Sequence, residues 1–203
     1  DAFQWGMFAF FCAATGLSIT MGYHRLFAHK AFEARWPVRL LTLLFGAAAF
    51  ENAALAWVSD HRRHHKHVDG AEDPYDITQG FWYAHMGWIL FKLDPEPPLD
   101  NVADLRKDPL VMFQSNFYLP LAILIGFVVP TSLGYWHAGW TGALGAFLLA
   151  GVARVTVVEH MTFFINSLCH TVGQRPYSDR CSARDSWIMA LFTFGEGYHN
   201  YHH

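Results

Sequence analysis

Charged residues are scarce in this sequence. Asp, Glu, Lys and Arg make up 15% of the 203 residues, whereas hydrophobic residues make up 53%. An average soluble domain contains about 25% charged residues. The net charge of −3 also argues against a nucleic-acid partner, which requires a basic surface. The composition therefore predicts a membrane protein with a substantial polar face.

Cysteine is equally scarce. The three cysteines, Cys12, Cys169 and Cys181, are isolated from one another. An odd number without a C-x-x-C pair provides no disulfide framework and suits a reducing compartment. The sequence likewise contains no haem or iron–sulfur signature that would supply electrons internally.

Long apolar runs, by contrast, are a prominent feature of the sequence. Three runs approach the about 20 residues that a membrane-crossing helix needs, and we predict spans at 2–21, 113–133 and 140–165. The short segment 134–139 contains no Lys or Arg, whereas the other flanking segments are basic. The positive-inside rule places the basic segments in the cytoplasm.

A fourth apolar run, 38–58, has basic residues on both sides and contains Glu51 and Asn52. Both side chains are costly in lipid. We therefore predict a buried cytoplasmic or re-entrant helix rather than a crossing. The aromatic, uncharged segment 81–91 fits either the membrane interface or a buried packing helix. We treat 1–203 as one core and expect a preceding helix and a C-terminal tail beyond it.

Histidine is the abundant residue, with thirteen copies. Nine of them form an H-x-x-x-x-H motif, two H-x-x-H-H motifs and an Asn-x-x-x-His pair. They are His24 and His29; His61, His64 and His65; His199, His202 and His203; and His170, paired with Asn166.

The spacing of these motifs predicts their geometry. Positions i, i+3 and i+4 share one helical face, so each H-x-x-H-H motif should present three imidazoles in one direction. The i, i+5 spacing of His24 and His29 suits one face less well. We therefore expect a helix that ends between them, with His29 returning from the following turn.

Nine neighbouring imidazoles favour a metal centre over nine separate structural roles. Charged imidazoles would repel one another, and neutral ones would leave buried ring nitrogens unbonded. Nine ligands exceed the needs of one ion, so two ions fit better, although imidazole suits Zn, Cu, Fe and Ni alike. The predicted fold class is an all-α membrane protein, with transmembrane helices capped by a cytoplasmic His-rich helical di-metal domain. His67, His85, His137 and His160 are left outside the site.

The three histidine motifs in this order resemble those of the membrane fatty-acid desaturases. The flanking text is similar to the stearoyl-type Δ9 desaturases, and we expect a bacterial-like member. The segments that carry the resemblance are "GYHRLFAH", "DHRRHHKH", "EDPY", "GFWYAHMGW", "NSLCHTVGQRPY" and "GEGYHNYHH".

The resemblance implies an oxidoreductase with a non-haem di-iron centre, which uses O2 and two electrons to place a cis double bond in a fatty acyl chain. The nine histidines above become the iron ligands, and Asn166 reaches one iron through a water. The substrate is then an acyl-CoA, an acyl-lipid or an acyl carrier protein. The implied electron donor is a ferredoxin or a cytochrome b5, and the implied location is a bacterial inner membrane with the active site on the cytoplasmic side.

Asn52, Trp57 and Thr162 match family positions around the acyl tunnel. Three other positions depart from the acyl-CoA enzymes of animals. Glu51 stands where they have Gln, Ser59 where they have Arg, and Lys92-Leu93 where they have a basic pair. The basic residues contact CoA phosphates in the family, so the head group stays open.

Two alternatives remain. A hydroxylase or another oxygenase would use the same scaffold. A non-enzymatic membrane metal-binding protein, such as a transporter, would carry polar ligands along its spans, whereas here the histidines gather outside the predicted spans. A zinc hydrolase would need only about three or four protein ligands.

Asp60 and Glu196 adjoin histidine motifs, and we predict that they orient imidazole N–H groups. Asp60→Asn should therefore lower both the iron content and the activity of the purified protein. Iron analysis beside a product assay checks this. Unchanged iron and activity would remove the role.

Overall fold

The regular elements of this protein are helices. The computed structural model describes residues 1–91 and 98–203, and β-structure in these ranges is limited to two isolated bridges that join Asp185 to Gln174 and to Tyr198. The predicted all-α class is confirmed. The described residues form two compact units, one of residues 1–58 and 102–159, the other of residues 59–101 and 160–203.

Ten α-helices alternate with π-helical and 3-10 turns in the described ranges. The α-helices are α1 (Ala2–Leu17), α2 (Trp36–Ala48), α3 (Ala54–His67), α4 (Trp88–Leu90), α5 (Pro109–Asn116), α6 (Tyr118–Ile123), α7 (Val129–Ala146), α8 (Arg154–Ser167), α9 (Trp187–Phe192) and α10 (His199–His202). The π-helical segments are Ser18–Ala28, Tyr83–Gly87, Leu124–Val128 and Phe147–Ala153, and the 3-10 turns are Ile77–Gln79, Leu105–Lys107 and Leu168–His170.

Two helical stretches, Ala2–Ala28 and Tyr118–His170, are long and apolar enough to cross a membrane. The second is interrupted at Ala138 and Gly139, where Gly139 adopts a positive φ of 59°. The chain reverses there so tightly that a Cβ on Gly134 would lie 2.3 Å from the carbonyl oxygen of Gly142. The interruption falls in the segment predicted to join two spans, and the number of crossings stays a prediction.

Large apolar side chains point outward from both stretches. Trp5 and Phe10 are exposed on the first, and Trp136, Trp140 and Leu144 are exposed on the second. Soluble proteins rarely expose contiguous apolar surface of this kind. The exposed residues are therefore suited to contact with lipid.

The run 38–58 is not one helix. α2 ends at Ala48 and α3 begins at Ala54, and between them Phe50 and Asn52 adopt positive φ values of 68° and 86°. The predicted single helix is therefore two helices with a break, because the polar Asn52 tolerates the left-handed conformation. The placement of this run as buried cytoplasmic or re-entrant stays a prediction. The Asn52 backbone N–H donates to the Tyr118 hydroxyl at 3.1 Å.

The break is stabilised by one buried amide. The Gln114 side chain, 1% exposed, accepts a hydrogen bond from the Ala54 N–H at 3.0 Å and donates one to the Tyr23 hydroxyl at 2.8 Å. The first bond satisfies an N–H group at the start of α3 that has no partner within the helix. The start of the histidine-bearing helix α3 is thereby fixed by a residue 60 positions away.

Arg154 is fully buried within the first unit. Its guanidinium donates to the carbonyl oxygens of Ala48, Gly126 and Ala150. Ala48 is the last residue of α2, and carbonyls at a helix end have no partner within the helix. A Cβ on Gly126 would lie only 3.0 Å from the guanidinium. Arg154 therefore provides the hydrogen bond that the end of α2 lacks, and its buried guanidinium is itself bonded to three carbonyl oxygens.

The segment 81–91 is helical and two-faced. Ala84 and His85 are buried, whereas Trp82, Leu90 and Phe91 are 67–73% exposed. This exposure argues against a helix that is packed on all sides. The interpretation that it lies at the membrane interface stays a prediction.

Replacing Arg154 with Met should destabilise the fold. The Ala48 carbonyl at the end of α2 loses its partner, which costs about 1–3 kcal/mol, so we expect a loss of at least about 1 kcal/mol. The thermal midpoint of the detergent-solubilised protein, followed by size-exclusion chromatography after heating, measures the effect. Arg35→Met makes the same change at an exposed position and should leave the midpoint unchanged. Equal midpoints for both variants would contradict the role of Arg154.

Candidate metal centre

Four histidines of the second unit point their ring nitrogens at one small volume. They come from α3 (His64), the 3-10 turn after α8 (His170) and the C-terminal segment (His199 and His203), and their ligand nitrogens lie within 4.8 Å of one another. The Nε2 atoms are neighbours, at 3.2 Å from His64 to His203, 3.1 Å from His203 to His199 and 3.0 Å from His199 to His170. We call this the four-histidine group.

These Nε2 contacts cannot all be hydrogen bonds, because a neutral imidazole carries one proton on one of its two nitrogens. His64 shows where that proton lies. Its Nδ1 is 2.8 Å from an Asp73 carboxylate oxygen, which can only accept. His64 therefore carries its proton on Nδ1, and its Nε2 presents a lone pair to the group.

His170 is held in the same form by a hydroxyl. Its Nδ1 lies 2.7 Å from Ser182 Oγ, and Ser182 Oγ lies 2.5 Å from the Asp69 carboxylate. The hydroxyl has one proton and donates it to Asp69, so it accepts from the Nδ1–H of His170. The Nε2 of His170 is thus a second lone pair directed into the group.

A metal ion fits this donor set. With metal–nitrogen bonds of about 2.1 Å, ligands at right angles lie about 3.0 Å apart and tetrahedral ligands about 3.4 Å apart. The Nε2 separations of 3.0–3.2 Å fall in this range. Imidazole nitrogens with the proton on the opposite nitrogen are the form in which histidine binds metals.

Three more histidines of the second unit form a neighbouring set. His61, His65 and His202 have their ligand nitrogens within 4.8 Å of one another. The Nε2 atoms of His65 and His202 are 2.9 Å apart, and the rings of His61 and His65 are 4.6 Å apart. We call this the three-histidine group. It is also able to offer nitrogen ligands to an ion.

The H-x-x-H-H motifs divide between these two groups, which differs from the prediction that each faces one way. In each motif the first and last histidines, i and i+4, join one group, and the middle histidine joins the other. Residues i and i+4 are separated by about 40° around a helix, whereas i+3 lies about 100° before i+4. That angle is enough to send the middle imidazole to the other group.

His24 and His29 lie in the first unit, and the helix ends between them, at Ala28, as predicted. Its last part is a π-helix from Ser18 to Ala28, and the His29 N–H donates to the His24 carbonyl at 3.0 Å. This i to i+5 bond is the π-helical pattern, which occurs often at functional sites. It brings the two rings to a centroid distance of 4.7 Å.

The C-terminal histidines are placed by two polar side chains of the same unit. Asn200, 2% exposed, accepts from the backbone N–H groups of Tyr177 and Ser178 and donates to the carbonyls of Ser178 and Ala183. The Asp185 carboxylate accepts from the N–H groups of Asn200 and Tyr201, at 2.8 and 3.1 Å. Asp185 thus caps a four-residue helix that would not be stable alone.

Sequence reasoning missed the residues that orient these ligands. Asp73 contacts His64, and the Asp69–Ser182 pair contacts His170. We predicted such contacts for Asp60 and Glu196. Those two side chains are buried, at 6% and 7% exposure, and their role stays a prediction. Asp73 lies in "EDPY", which closely follows the second histidine motif, and this proximity is the signal in the sequence that indicates its role.

Two of the remaining histidines form a separate network in the second unit. His85 donates from Nδ1 to Ser167 Oγ at 3.0 Å, because that hydroxyl gives its proton to the Phe163 carbonyl. His85 Nε2 then accepts from His160 at 3.0 Å. Burial, followed by the neighbouring His160, lowers the pKa of His85. Both histidines are outside the two groups, as predicted.

The burial of the four-histidine group predicts a dependence on pH. Burial first, and then the neighbouring imidazoles, hold the pKa of His199 well below its ordinary value of 6.5. At a pH below 6.5, His199 therefore binds a proton in the unfolded chain but not in the folded chain. The free energy of unfolding falls as the pH falls.

The metal-free protein should accordingly show a lower thermal midpoint at pH 5.5 than at pH 7.5. Thermal scans after chelation measure this difference. His67→Ala is the control and should show the same difference as the wild type, since His67 is a partly exposed residue paired with Glu72. A midpoint that does not change over this range would contradict the assignment.

Comparison with known proteins adds a family to this geometry. The family described as "Fatty acid desaturase" matches residues 3–203. "Acyl-CoA desaturase 1" of Saccharomyces cerevisiae is 45% identical over 96% of this chain and 38% of its own length. Two proteins of Acheta domesticus, "Acyl-CoA Delta-9 desaturase" and "Acyl-CoA Delta12-desaturase", are 36% and 35% identical over 93% and 95% of this chain.

The chain spans 54% and 55% of the lengths of the two Acheta domesticus proteins. All three relatives are eukaryotic, so the expectation of a bacterial-like sequence in a bacterial inner membrane finds no support. The match over residues 3–203 and the identity of 45% leave the family itself in no doubt. This chain belongs to the fatty acid desaturase family.

Proposed function

We propose that this chain is the catalytic core of an O2-dependent acyl desaturase. It removes two hydrogens from a saturated –CH2–CH2– unit of a fatty acyl chain and leaves a cis –CH=CH– unit. The two hydrogens, one O2, two external electrons and two protons give two molecules of water. We propose the Δ9 position from the resemblance.

One observation carries this proposal. His64, His170, His199 and His203 converge through their Nε2 atoms, and two of them are fixed with a lone pair directed inward. The donor set is made of neutral imidazoles. It suits a redox-active ion that must keep positions open for O2.

We propose two iron ions as the cofactor and all nine histidines as their ligands. The four-histidine group and the three-histidine group of the second unit each offer nitrogen ligands. Asn166 adds a contact through a water. Bound irons would supply the activation of O2 that the removal of hydrogen from the acyl chain requires.

The acyl chain is proposed to run beside Asn52, Trp57 and Thr162. Within the first unit, the Trp57 ring lies 5.9 Å from Tyr23 and 6.3 Å from His24, and its indole N–H donates to Glu51 at 3.2 Å. An aromatic ring that is fixed at its polar edge offers an apolar face to a substrate. Its position beside a proposed ligand is suited to border the reacting methylenes.

Coenzyme A is the head group that the names of the relatives favour. Ser59, which stands where a CoA-contacting Arg occurs in the family, is fully buried and bonded to Asn101 at 2.8 Å. It offers no charge to a phosphate. Lys92 and Leu93 lie outside the described residues. Acyl-lipid and acyl carrier protein therefore remain as alternative substrates.

The electron donor and the location are proposals from the resemblance and the charge pattern. We propose a ferredoxin or a cytochrome b5 as donor, because the reaction needs two external electrons and the resemblance implies such a donor. The histidine-bearing segments are proposed to face the cytoplasm, since basic residues flank them. The apolar helices are proposed to lie in the bilayer.

The test is a fatty-acid profile by gas chromatography–mass spectrometry. The full-length gene is expressed in a host that lacks unsaturated products of this type and supplies a donor. We expect a new cis monoene that disappears in His64→Ala and persists in His67→Ala, whose side chain lies outside both groups on the same helix. In vitro assays with acyl-CoA, acyl-lipid and acyl carrier protein then identify the head group.

Other products would redirect the proposal. A hydroxy acid would identify a hydroxylase on the same scaffold. A monoene at position 12 would keep the desaturase and overturn Δ9. No product from a host with a working donor, together with no iron in the purified protein, would leave only a non-enzymatic membrane protein.

A further inference from the structure

The turn 69–73, just after α3, holds two carboxylates near the four-histidine group. Asp73 contacts His64 directly, and Asp69 contacts His170 through Ser182. Asp73 is 5% exposed, and Asp69 is partly buried. The two residues are themselves linked, because the Asp69 N–H donates to the Asp73 carboxylate at 3.2 Å. The turn is therefore one connected unit.

Asp73 uses both of its oxygens. One accepts from His64 Nδ1 at 2.8 Å and from the Tyr75 N–H at 2.9 Å, and the other accepts from the Asp69 N–H. A carboxylate with this many donors has a fixed orientation. Asp73 therefore holds the His64 proton on Nδ1 and fixes the orientation of the His64 ring.

Asp69 also uses both of its oxygens, on a single residue. Its carboxylate accepts from the Ser182 backbone N–H at 2.6 Å and from the Ser182 hydroxyl at 2.5 Å. Asp69 adopts a positive φ of 62°, a conformation that most L residues avoid. The bond from its N–H to Asp73 stabilises that conformation and so directs its side chain toward Ser182.

His170 is the ligand that most needs such support. It is the one member of the four-histidine group that lies outside the three histidine motifs, and a short 3-10 turn carries it. Its Nδ1 contact is Ser182 Oγ, whose single proton is already committed to Asp69. The order of donation is therefore His170 to Ser182 to Asp69.

We propose that the turn 69–73 is a positioning device for metal binding. Asp73 acts directly on His64, and Asp69 acts on His170 through the Ser182 hydroxyl. Both contacts hold the imidazole proton on Nδ1 and direct the Nε2 lone pair toward the shared ion. This inference rests on the proposed function, since it assigns a role to residues around the proposed iron site.

Asp73 also raises the donor strength of the His64 imidazole, and Asp69 does the same for His170 through the Ser182 hydroxyl, which strengthens the bonds to a cation. Two ligands that are 106 positions apart in the sequence thus depend on five consecutive residues. Asp69, Asp73 and Ser182 are positioning residues, because they act on the ion only through a histidine.

The replacement of Asp69 with Asn gives the sharpest test. An Asn amide can donate to Ser182 Oγ, which then turns its own proton toward His170 Nδ1. The proton of His170 would move to Nε2 and block the ligand nitrogen. Asp69→Asn should therefore weaken metal binding at least as much as Ser182→Ala does.

The measurement is a titration of the purified, chelator-treated full-length protein with Co2+, followed by visible absorption. For one of the two ions, Ser182→Ala and Asp69→Asn should each weaken binding about 10–100-fold. Because both act through one chain of contacts, the double variant should bind no more weakly than Ser182→Ala alone. Ser182→Thr keeps the hydroxyl and should restore binding.

Ser178→Ala is the matched control, because Ser178 lies in the same loop and its hydroxyl accepts from the Arg180 N–H at 3.3 Å rather than contacting a histidine. It should bind Co2+ as the wild type does. Independent effects of Asp69→Asn and Ser182→Ala that add in the double variant would overturn the relay, as would unchanged affinity in both. Wild-type protein that binds no Co2+ and no iron would overturn the proposed function as well, so the two failures are distinguishable.

Discussion

An imidazole binds a metal only through a nitrogen that carries no proton, and much of the second unit serves that constraint. Each neutral histidine has one proton and two nitrogens, so a ligand is reliable only when another group holds the proton on the far side of the ring. His64 has Asp73 for this purpose, and His170 has the Ser182 hydroxyl backed by Asp69. Without these acceptors, converging Nε2 atoms at 3.0–3.2 Å would be as free to share protons with one another as to share an ion.

Helix geometry then decides which histidines meet. The 100° turn per residue of an α-helix pairs the first and last histidines of each H-x-x-H-H motif and sends the middle one elsewhere. The wider π-helix brings together His24 and His29, which an α-helix of the same spacing would separate. The four-residue α10 is too short to be stable alone. Asn200 and Asp185 position its histidines through hydrogen bonds to the backbone.

The first unit meets a different requirement, which is the satisfaction of polar groups inside an apolar body. The break between α2 and α3 leaves backbone groups that have no partner within either helix. Gln114 bonds the first N–H of α3, and Arg154 bonds the last carbonyl of α2. Polar residues within an apolar sequence, which count against a membrane span in a hydropathy profile, are here the groups that make a broken helix stable. The same break places Trp57 beside His24.

The sequence by itself determined the helical class, the apolar stretches and the residue type that forms the candidate metal centre, because composition, hydrophobic run length and residue spacing are local properties. It also located the histidine motifs and, through their flanking residues, the family. Only the tertiary structure decided that each H-x-x-H-H motif divides between two groups, that α2 ends at Ala48, and that Asp69, Asp73 and Ser182 orient the ligands. These features depend on contacts between residues up to 113 positions apart, and a contact of that range leaves no periodic signal in the sequence around either partner.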